Sequence, residues 1–287
     1  MKKDIQKLRS YSLIFSSTNF SKLLKNGDYD FMNNRINAYD KKNIGSSFSD
    51  YRGYIKHVYR HLLQNYQNEY IYKNTLIEKL ILKKYALDDT NIINEFRVGN
   101  SIADMVLFNG TSKVFEIKTE LDSTKRLIGQ LSDYRKLFKQ TYIVTHENLV
   151  DKYKAEDNSA GIIALVKKTK SFKMVQVRSA EINELICPYT LMRVVRTNEY
   201  KNIVNSYYGY LPPMNSFNMF EICEKLISKI PNEILNTLFI NELKKRKTNS
   251  EILSDYPSEL RQLGLALNLS LKKRNELISA LKQPISI

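Results

Sequence analysis

The stretch from Ala103 to Leu121 constrains this chain most. Ala103–Phe108 (ADMVLF) is a short apolar run, Asn109-Gly110 follows, and Lys113–Leu121 (KVFEIKTEL) continues with apolar residues interleaved by charge. Asn-Gly between two such runs is the strongest two-residue hairpin signal, because both turn positions take positive φ. The two runs are therefore expected to pair antiparallel. Ile92–Val98 alternates and adds a strand before them. A helix over about Asn68–Tyr85, with Tyr72, Leu76 and Leu80 as its apolar stripe, should precede these strands. Another over Ser123–Lys139 should follow, with Leu127, Leu131, Tyr134 and Phe138 along one side. Thr141–Thr145, Gly161–Val166 and Lys173–Val177 read as further strands. Helix, three strands, helix, strand is an α/β order.

Chemistry concentrates on the hairpin. Glu116 and Lys118 are two apart on the second strand and so project to one face, while Ile117 points the other way into the core. Asp104 lies on the partner strand, where a hairpin brings two carboxylates close enough to share a divalent cation. Magnesium takes oxygen ligands in octahedral geometry and keeps several waters. It can acidify a water and stabilise charge developing on a phosphate. Lys118 would add a compact positive charge beside it. A plain Glu-x-Lys on an exposed strand needs no function, so the weight rests on the set: the Asp on the hairpin partner, the apolar flanks, and Gln130 and Tyr134 four apart on the following helix.

These residues carry a family resemblance. IAD (Ile102 to Asp104), EIK (Glu116 to Lys118) and QLSDY (Gln130 to Tyr134) resemble the PD-(D/E)xK nuclease superfamily, restriction-endonuclease-like in fold. The last run looks like the Gln-x-x-x-Tyr motif of the RecB-like branch. The wider run EFRVGNSIADMVLFNG…FEIKTELDS…RLIGQLSDY, with NEYIYKNTLIEKLILKKY before it, is similar to a bacterial group of that superfamily. The likeness covers about Asn68 to Thr145, and Ala103 stands where the superfamily motif has Pro. It implies a mixed central sheet flanked by helices, and a Mg²⁺- or Mn²⁺-dependent nuclease with DNA as the expected substrate. Asp104, Glu116 and the Ile117 carbonyl would then hold the metal, Lys118 would position the attacking water, and Gln130 and Tyr134 would brace the site or touch the substrate backbone. Many members add an earlier acidic residue. Glu95 is the first candidate, then Glu78, then Glu69, each also readable as ordinary surface Glu. A non-catalytic nucleic-acid-binding or regulatory protein that keeps the fold is the competing reading, since fold alone does not fix activity.

Other features admit bland readings. His57 and His61 are four apart on a helix expected over Arg52–Gln64, but lack the Glu of a zinc-protease helix. His146 ends a strand, and Glu120 suits an edge salt bridge. Lys125 and Arg126, expected to open the helix after the site strand, could meet phosphates. The Lys244–Lys247 cluster follows a helix end, where cations meet the dipole favourably.

The chain divides into three expected sections: 1–67, mainly helical, with Asn33–Asp50 as loop; 68–180, the nuclease core; and 181–287, helical, with Leu191–Tyr207 as one helix. Charge follows this division. The net +15 splits as +9 over residues 1–85, +1 over 86–190 and +5 over 191–287. Basic flanks raise the local concentration of a polyanion, so nucleic acid is the expected partner. The flanks could also serve a homo-oligomer or a protein partner. Cys187 and Cys223 lack metal-ligand spacing and suit cytoplasmic free thiols. No run is apolar enough to span a membrane, and the start, MKKDIQKLRSYSLIF, resembles no signal peptide. Phage defence, mobile-element biology and repair all fit such a protein.

Overall fold

A computed structural model of the chain describes residues 2–120, 122–169 and 171–287. It opens with helices α1 (Lys2–Ser12), α2 (Ser17–Asn26), α3 (Asp30–Arg35), α4 (Tyr51–Asn65) and α5 (Glu69–Leu76), a π-helical turn over Ile77–Ile81, and α6 (Leu82–Lys84). Strands β1 (Asn91–Val98), β2 (Ser101–Phe108) and β3 (Ser112–Lys118) follow. Then come α7 (Leu127–Arg135), β4 (Gln140–His146), α8 (Val150–Glu156), β5 (Gly161–Lys167) and β6 (Phe172–Arg178). Helices α9 (Pro188–Val194), α10 (Thr197–Tyr208), α11 (Met219–Ile227), α12 (Asn232–Lys244), α13 (Arg261–Ala266) and α14 (Leu271–Leu281) complete it. No helix among the described residues is long and apolar enough to cross a membrane.

The expected α/β class holds. The six strands form one mixed sheet in the order β1-β2-β3-β4-β5-β6. The first three pair antiparallel, β3–β4 and β4–β5 are parallel, and β5–β6 is antiparallel. Parallel neighbours need a crossover, which α7 supplies between β3 and β4 and α8 between β4 and β5. β3 sits at the middle of the sheet, and all its residues are buried.

Contacts group the chain into two compact units, 84–250 and 1–83 with 251–287. This grouping cuts across the three sections read from the sequence, because residues 68–83 of the second section and 251–287 of the third group with the first. In the 84–250 unit, one face of the sheet packs on α7 and α9–α12 through Phe108, Val114, Leu131, Phe138, Ile143 and Phe239. In the other unit, Asn74 at the end of α5 donates to the Ser258 carbonyl at 2.7 Å and accepts the Gln262 amide at 2.9 Å.

Several local expectations are corrected. The two-residue hairpin turn is Gly99-Asn100, between Val98 and its partner Ser101, with Gly99 at φ +59°; glycine at the first turn position is the type II′ signature. Asn109-Gly110 instead belongs to a three-residue loop closing Phe108 against Ser112, with only Gly110 at positive φ. The supposed loop 33–50 contains the end of α3 and a π-helical turn over Ile36–Asp40, held by buried Asp40, which accepts from Lys7 and Tyr11 at 2.9 and 2.6 Å. The single helix over Leu191–Tyr207 is two, because Glu199 folds back to accept the Arg196 amide at 2.7 Å and starts a new helix there. The helix expected from Ser123 begins at Leu127, after a turn through Thr124. Leu121, expected to end β3's run, lies outside the described residues.

Candidate active site

The ladder between β2 and β3 ends at Met105–Phe115. Continued one residue, the same register sets Asp104 opposite Glu116. There a side chain replaces the ladder: Asp104 Oδ2 accepts the Ile117 backbone amide at 2.7 Å. Glu116 and Lys118 share the sheet face of Val114, the face that packs on α7. Both are buried, with 3% and 7% of their surface exposed. Lys118 Nζ lies 2.8 Å from Glu116 Oε1.

Helix α7 closes the network. Gln130 Nε2 donates to Glu116 Oε1 at 2.7 Å, and Gln130 Oε1 accepts from Lys118 Nζ at 2.9 Å. Tyr134 donates its hydroxyl to Glu116 Oε2 at 2.7 Å. Burial, then the neighbouring Glu116 carboxylate, push the Tyr134 pKa far up, so this hydroxyl stays protonated and can keep donating to Glu116. Four apart on one helical face, Gln130 and Tyr134 reach one carboxylate, as their spacing predicts.

Three supports were not legible from the sequence. Thr145, the β4 partner of Lys118, donates its hydroxyl to the Lys118 carbonyl at 2.7 Å. Asp133 on α7 accepts from Ser101 Oγ and from Lys136, each at 2.8 Å. Burial alone would raise the Asp133 pKa, but these two bonds win and hold it below the usual carboxylate range. The Ser101 bond ties α7, the helix that carries Gln130 and Tyr134, to the start of β2. A Cβ at Gly99 would stand 3.2 Å from Asp133, a second reason for glycine there. Past β3, Asp122 accepts from the Thr119 amide and hydroxyl, both at 2.8 Å. Thr145, Ser101 and Asp122 matter through pairings that sequence alone does not fix.

Residues 63–265 match the family described as Bacteriophage P4 protein cII. The chain belongs to the Bacteriophage P4 protein cII family. Among curated proteins, protein cII of Enterobacteria phage P4 is 28% identical over 210 residues, covering 71% of this chain and 78% of that protein. Among solved structures, a protein of unknown function from Silicibacter pomeroyi gives a TM-score of 0.33 at 11% identity, over 50% of this chain and 94% of that one. At that score the fold rests on the chain's own topology.

Every hairpin and α7 residue of the site falls inside the span matched to the P4 cII family. Asp104, Glu116, Lys118, Gln130 and Tyr134 come together, with the Ile117 backbone joined through its amide. Glu95 stands apart from their network. The pairs Asn94–Met105 and Phe96–Ala103 place it opposite Asp104, yet its side chain is exposed and its φ is +53°, costly for a non-glycine residue. Glu78 and Glu69 belong to the unit of residues 1–83 and 251–287. There Glu69 pairs with Lys73 at 2.5 Å and Glu78 with Lys79 at 2.6 Å. Among the described residues no group of three or more His, Cys, Asp or Glu side chains is placed to hold a metal. Glu120 lies 3.6 Å from His146 at the end of β4. Lys125 and Arg126 are exposed and precede α7 rather than opening it.

Proposed function

We propose that this chain is a metal-dependent nuclease hydrolysing phosphodiester bonds, with DNA as its substrate, on a restriction-endonuclease-like core. One observation carries the reading: a Glu–Lys pair is buried on the central strand directly across from an Asp. Buried charges cost several kcal/mol of desolvation, and an ion pair there is often no more stabilising than apolar residues. A central strand would ordinarily hold Val or Ile at such positions. Departures of this kind concentrate at functional sites. The antiparallel β1-β2-β3 run, with a helical crossover to a parallel β4, supports the fold assignment.

The donor set suits a hard divalent cation. Asp104, Glu116 and the Ile117 carbonyl offer oxygen ligands and no sulfur or imidazole, which favours Mg²⁺ or Mn²⁺. What such an ion supplies when bound is charge neutralisation at the phosphate and a more acidic water. The chain's own part is orientation. Gln130 and Tyr134 fix the Glu116 carboxylate, and Lys118, held by Glu116 and Gln130, keeps a positive charge at the site's edge to stabilise charge developing on phosphate oxygens.

A second reading, nucleic-acid binding without hydrolysis, is favoured by the closed network, in which both Glu116 oxygens already accept hydrogen bonds. Incubation with linear and circular, single- and double-stranded DNA and with RNA, in Mg²⁺, Mn²⁺ or chelator, separates the two. Divalent-dependent cleavage lost in Lys118→Ala supports the nuclease. Binding without cleavage under all these conditions favours the second reading.

A further inference from the structure

In the unit of residues 1–83 and 251–287, a polar cleft of about 490 Å³ opens beside α4, lined among others by Ser46, Ser47, His57, Arg60 and His61. No acidic residue lines it. His57, Arg60 and His61 fall three and four apart on one helical face, and the two imidazole rings lie 4.5 Å apart between centroids. Behind them sits Asp40, only 1% exposed, which accepts from Lys7 at 2.9 Å, Tyr11 at 2.6 Å and Tyr54 at 3.3 Å. His57 Nε2 is buried 3.9 Å from Asp40 Oδ1, beyond hydrogen-bond reach, and has no other partner.

The charge balance shows what is missing. Lys7 already neutralises Asp40, and Arg60 adds a positive charge at the rim. Burial first, then His61 for His57 and Lys7 for His61, hold both imidazoles below the ordinary histidine pKa. The cleft is therefore rich in donors, carries surplus positive charge, and has two histidines biased toward the neutral form by burial and then by that surplus. A negatively charged ligand offsets both the repulsion and part of the desolvation cost of protonating them, and each imidazolium then offers two donors. A divalent metal suits the His-x-x-x-His spacing, but it would add charge beside Lys7 and Arg60.

We propose that this cleft binds a phosphate group, with Arg60 and His61 donating from the rim and His57, backed by Asp40, from the floor. Binding takes up protons at the histidines, so affinity rises as pH falls from 8 to 6. The groups facing the pair are Lys7, Arg60 and Asp40, with Tyr11 and Tyr54 as neutral donors. The proposal does not depend on the nuclease reading.

The chain has only three histidines, and His146 lies in the other unit, so histidine NMR signals provide an internal control. Titrations of the full chain use inorganic phosphate, a nucleoside 5′-monophosphate, and an oligonucleotide with and without a 5′-phosphate. The expected result is a saturable movement of the His57 and His61 signals with raised titration midpoints, while His146 stays put. Arg60→Gln should weaken binding roughly tenfold, the loss of one charge-assisted hydrogen bond. His61→Gln should reduce the proton uptake seen by calorimetry in two buffers. A response confined to the 5′-phosphorylated oligonucleotide identifies a nucleic-acid end as the source, and one to the small phosphates a free metabolite. No saturable response to any phosphate species, unchanged affinity in Arg60→Gln, or Zn²⁺ binding by the two histidines without a phosphate response would each overturn the proposal.

Discussion

Lys118 and Glu116 are not equivalent mutagenesis targets, because removing one leaves the other buried. Without Lys118, Glu116 still accepts from Gln130 and Tyr134. Without the Glu116 carboxylate, a buried ammonium keeps only Gln130, and breaking a buried pair costs about 3–5 kcal/mol. Lys118→Ala is therefore the cleaner test: cleavage should disappear while the protein folds and binds nucleic acid. Asp104 has a double duty, since its Oδ2 also takes the Ile117 amide. Asp104→Asn keeps an acceptor there, so the metal-free melting temperature should hold while cleavage and any Mg²⁺-induced rise in melting temperature are lost. Asp104→Ala strands that amide and should cost about 1–3 kcal/mol. A Lys118→Ala protein that cleaves like wild type would sink the site assignment. Glu95 gives a separate check. Glu95→Gly relieves a positive φ and should raise stability by about 1 kcal/mol; if Glu95 also serves the chemistry, cleavage falls as the melting temperature rises. The strand residues of this site were legible because period-two spacing fixes which side chains share a face. The hydrogen-bond partners were not, since they depend on how α7 lies on the sheet.

At the level of elements, strand and helix types came through well and turns less so. Pairing decides where a turn tightens: Gly99-Asn100 closes in two residues, whereas Asn109-Gly110 needs a third. The packing of β4 on β5 shows a constraint invisible to periodicity. Gly161 pairs with Tyr142, and an added Cβ there would come within 2.4 Å of the tyrosine ring and 2.7 Å of the Ala180 amide nitrogen. Gly161→Ala should cost about 1–3 kcal/mol by overpacking; an unchanged denaturation midpoint would mean the ring swings aside freely. Between helices, Arg246 holds Glu199 at 2.6 Å, reaches the Val194 carbonyl at 3.1 Å and lies over Phe96. Burial alone would raise the Glu199 pKa, but the Arg246 bonds and the Arg196 amide hold it below the ordinary value. A depressed carboxyl contributes stability that is full above its unfolded pKa of about 4.3 and fades as pH falls through the folded value. Arg246→Ala should destabilise by about 3 kcal/mol near neutral pH. Its stability should also fall less steeply than wild type on acidification below about pH 5, which paired melts across pH 3–7 would reveal.

The whole molecule distributes its charge differently from the sequence sections. Residues 1–83 with 251–287 hold 20 basic and 11 acidic side chains, and residues 84–250 hold 25 and 19, so the two units carry +9 and +6. The first unit is assembled from both ends of the chain through bonds such as Tyr29 to the Ala280 carbonyl at 2.8 Å and Tyr70 to the Glu259 carbonyl at 2.6 Å. No local pattern announces pairings across so much sequence, which is why a three-section reading followed the chain instead. The Lys244–Lys247 cluster shows what this does to prediction. By sequence it is a basic cluster at a helix end, but Lys244 pairs with Asp89, Lys245 with Glu242 and Arg246 with Glu199. A cation already paired gains little from a phosphate unless it abandons its partner. Lys125 and Arg126 are exposed just before α7 and follow the strand bearing Lys118. Nucleic-acid affinity should fall linearly with log salt, with a slope of about −0.9 per phosphate neutralised. Lys125→Glu with Arg126→Glu should flatten that slope by about two, because two contacts are lost together. Lys244→Glu should leave the slope nearly unchanged and lower the melting temperature instead, since it sets like charges beside Asp89. Binding isotherms from 50 to 300 mM salt on the three proteins decide between the surfaces, and a slope that moves only with Lys244→Glu would place the nucleic acid on the α12 end and away from the hairpin site.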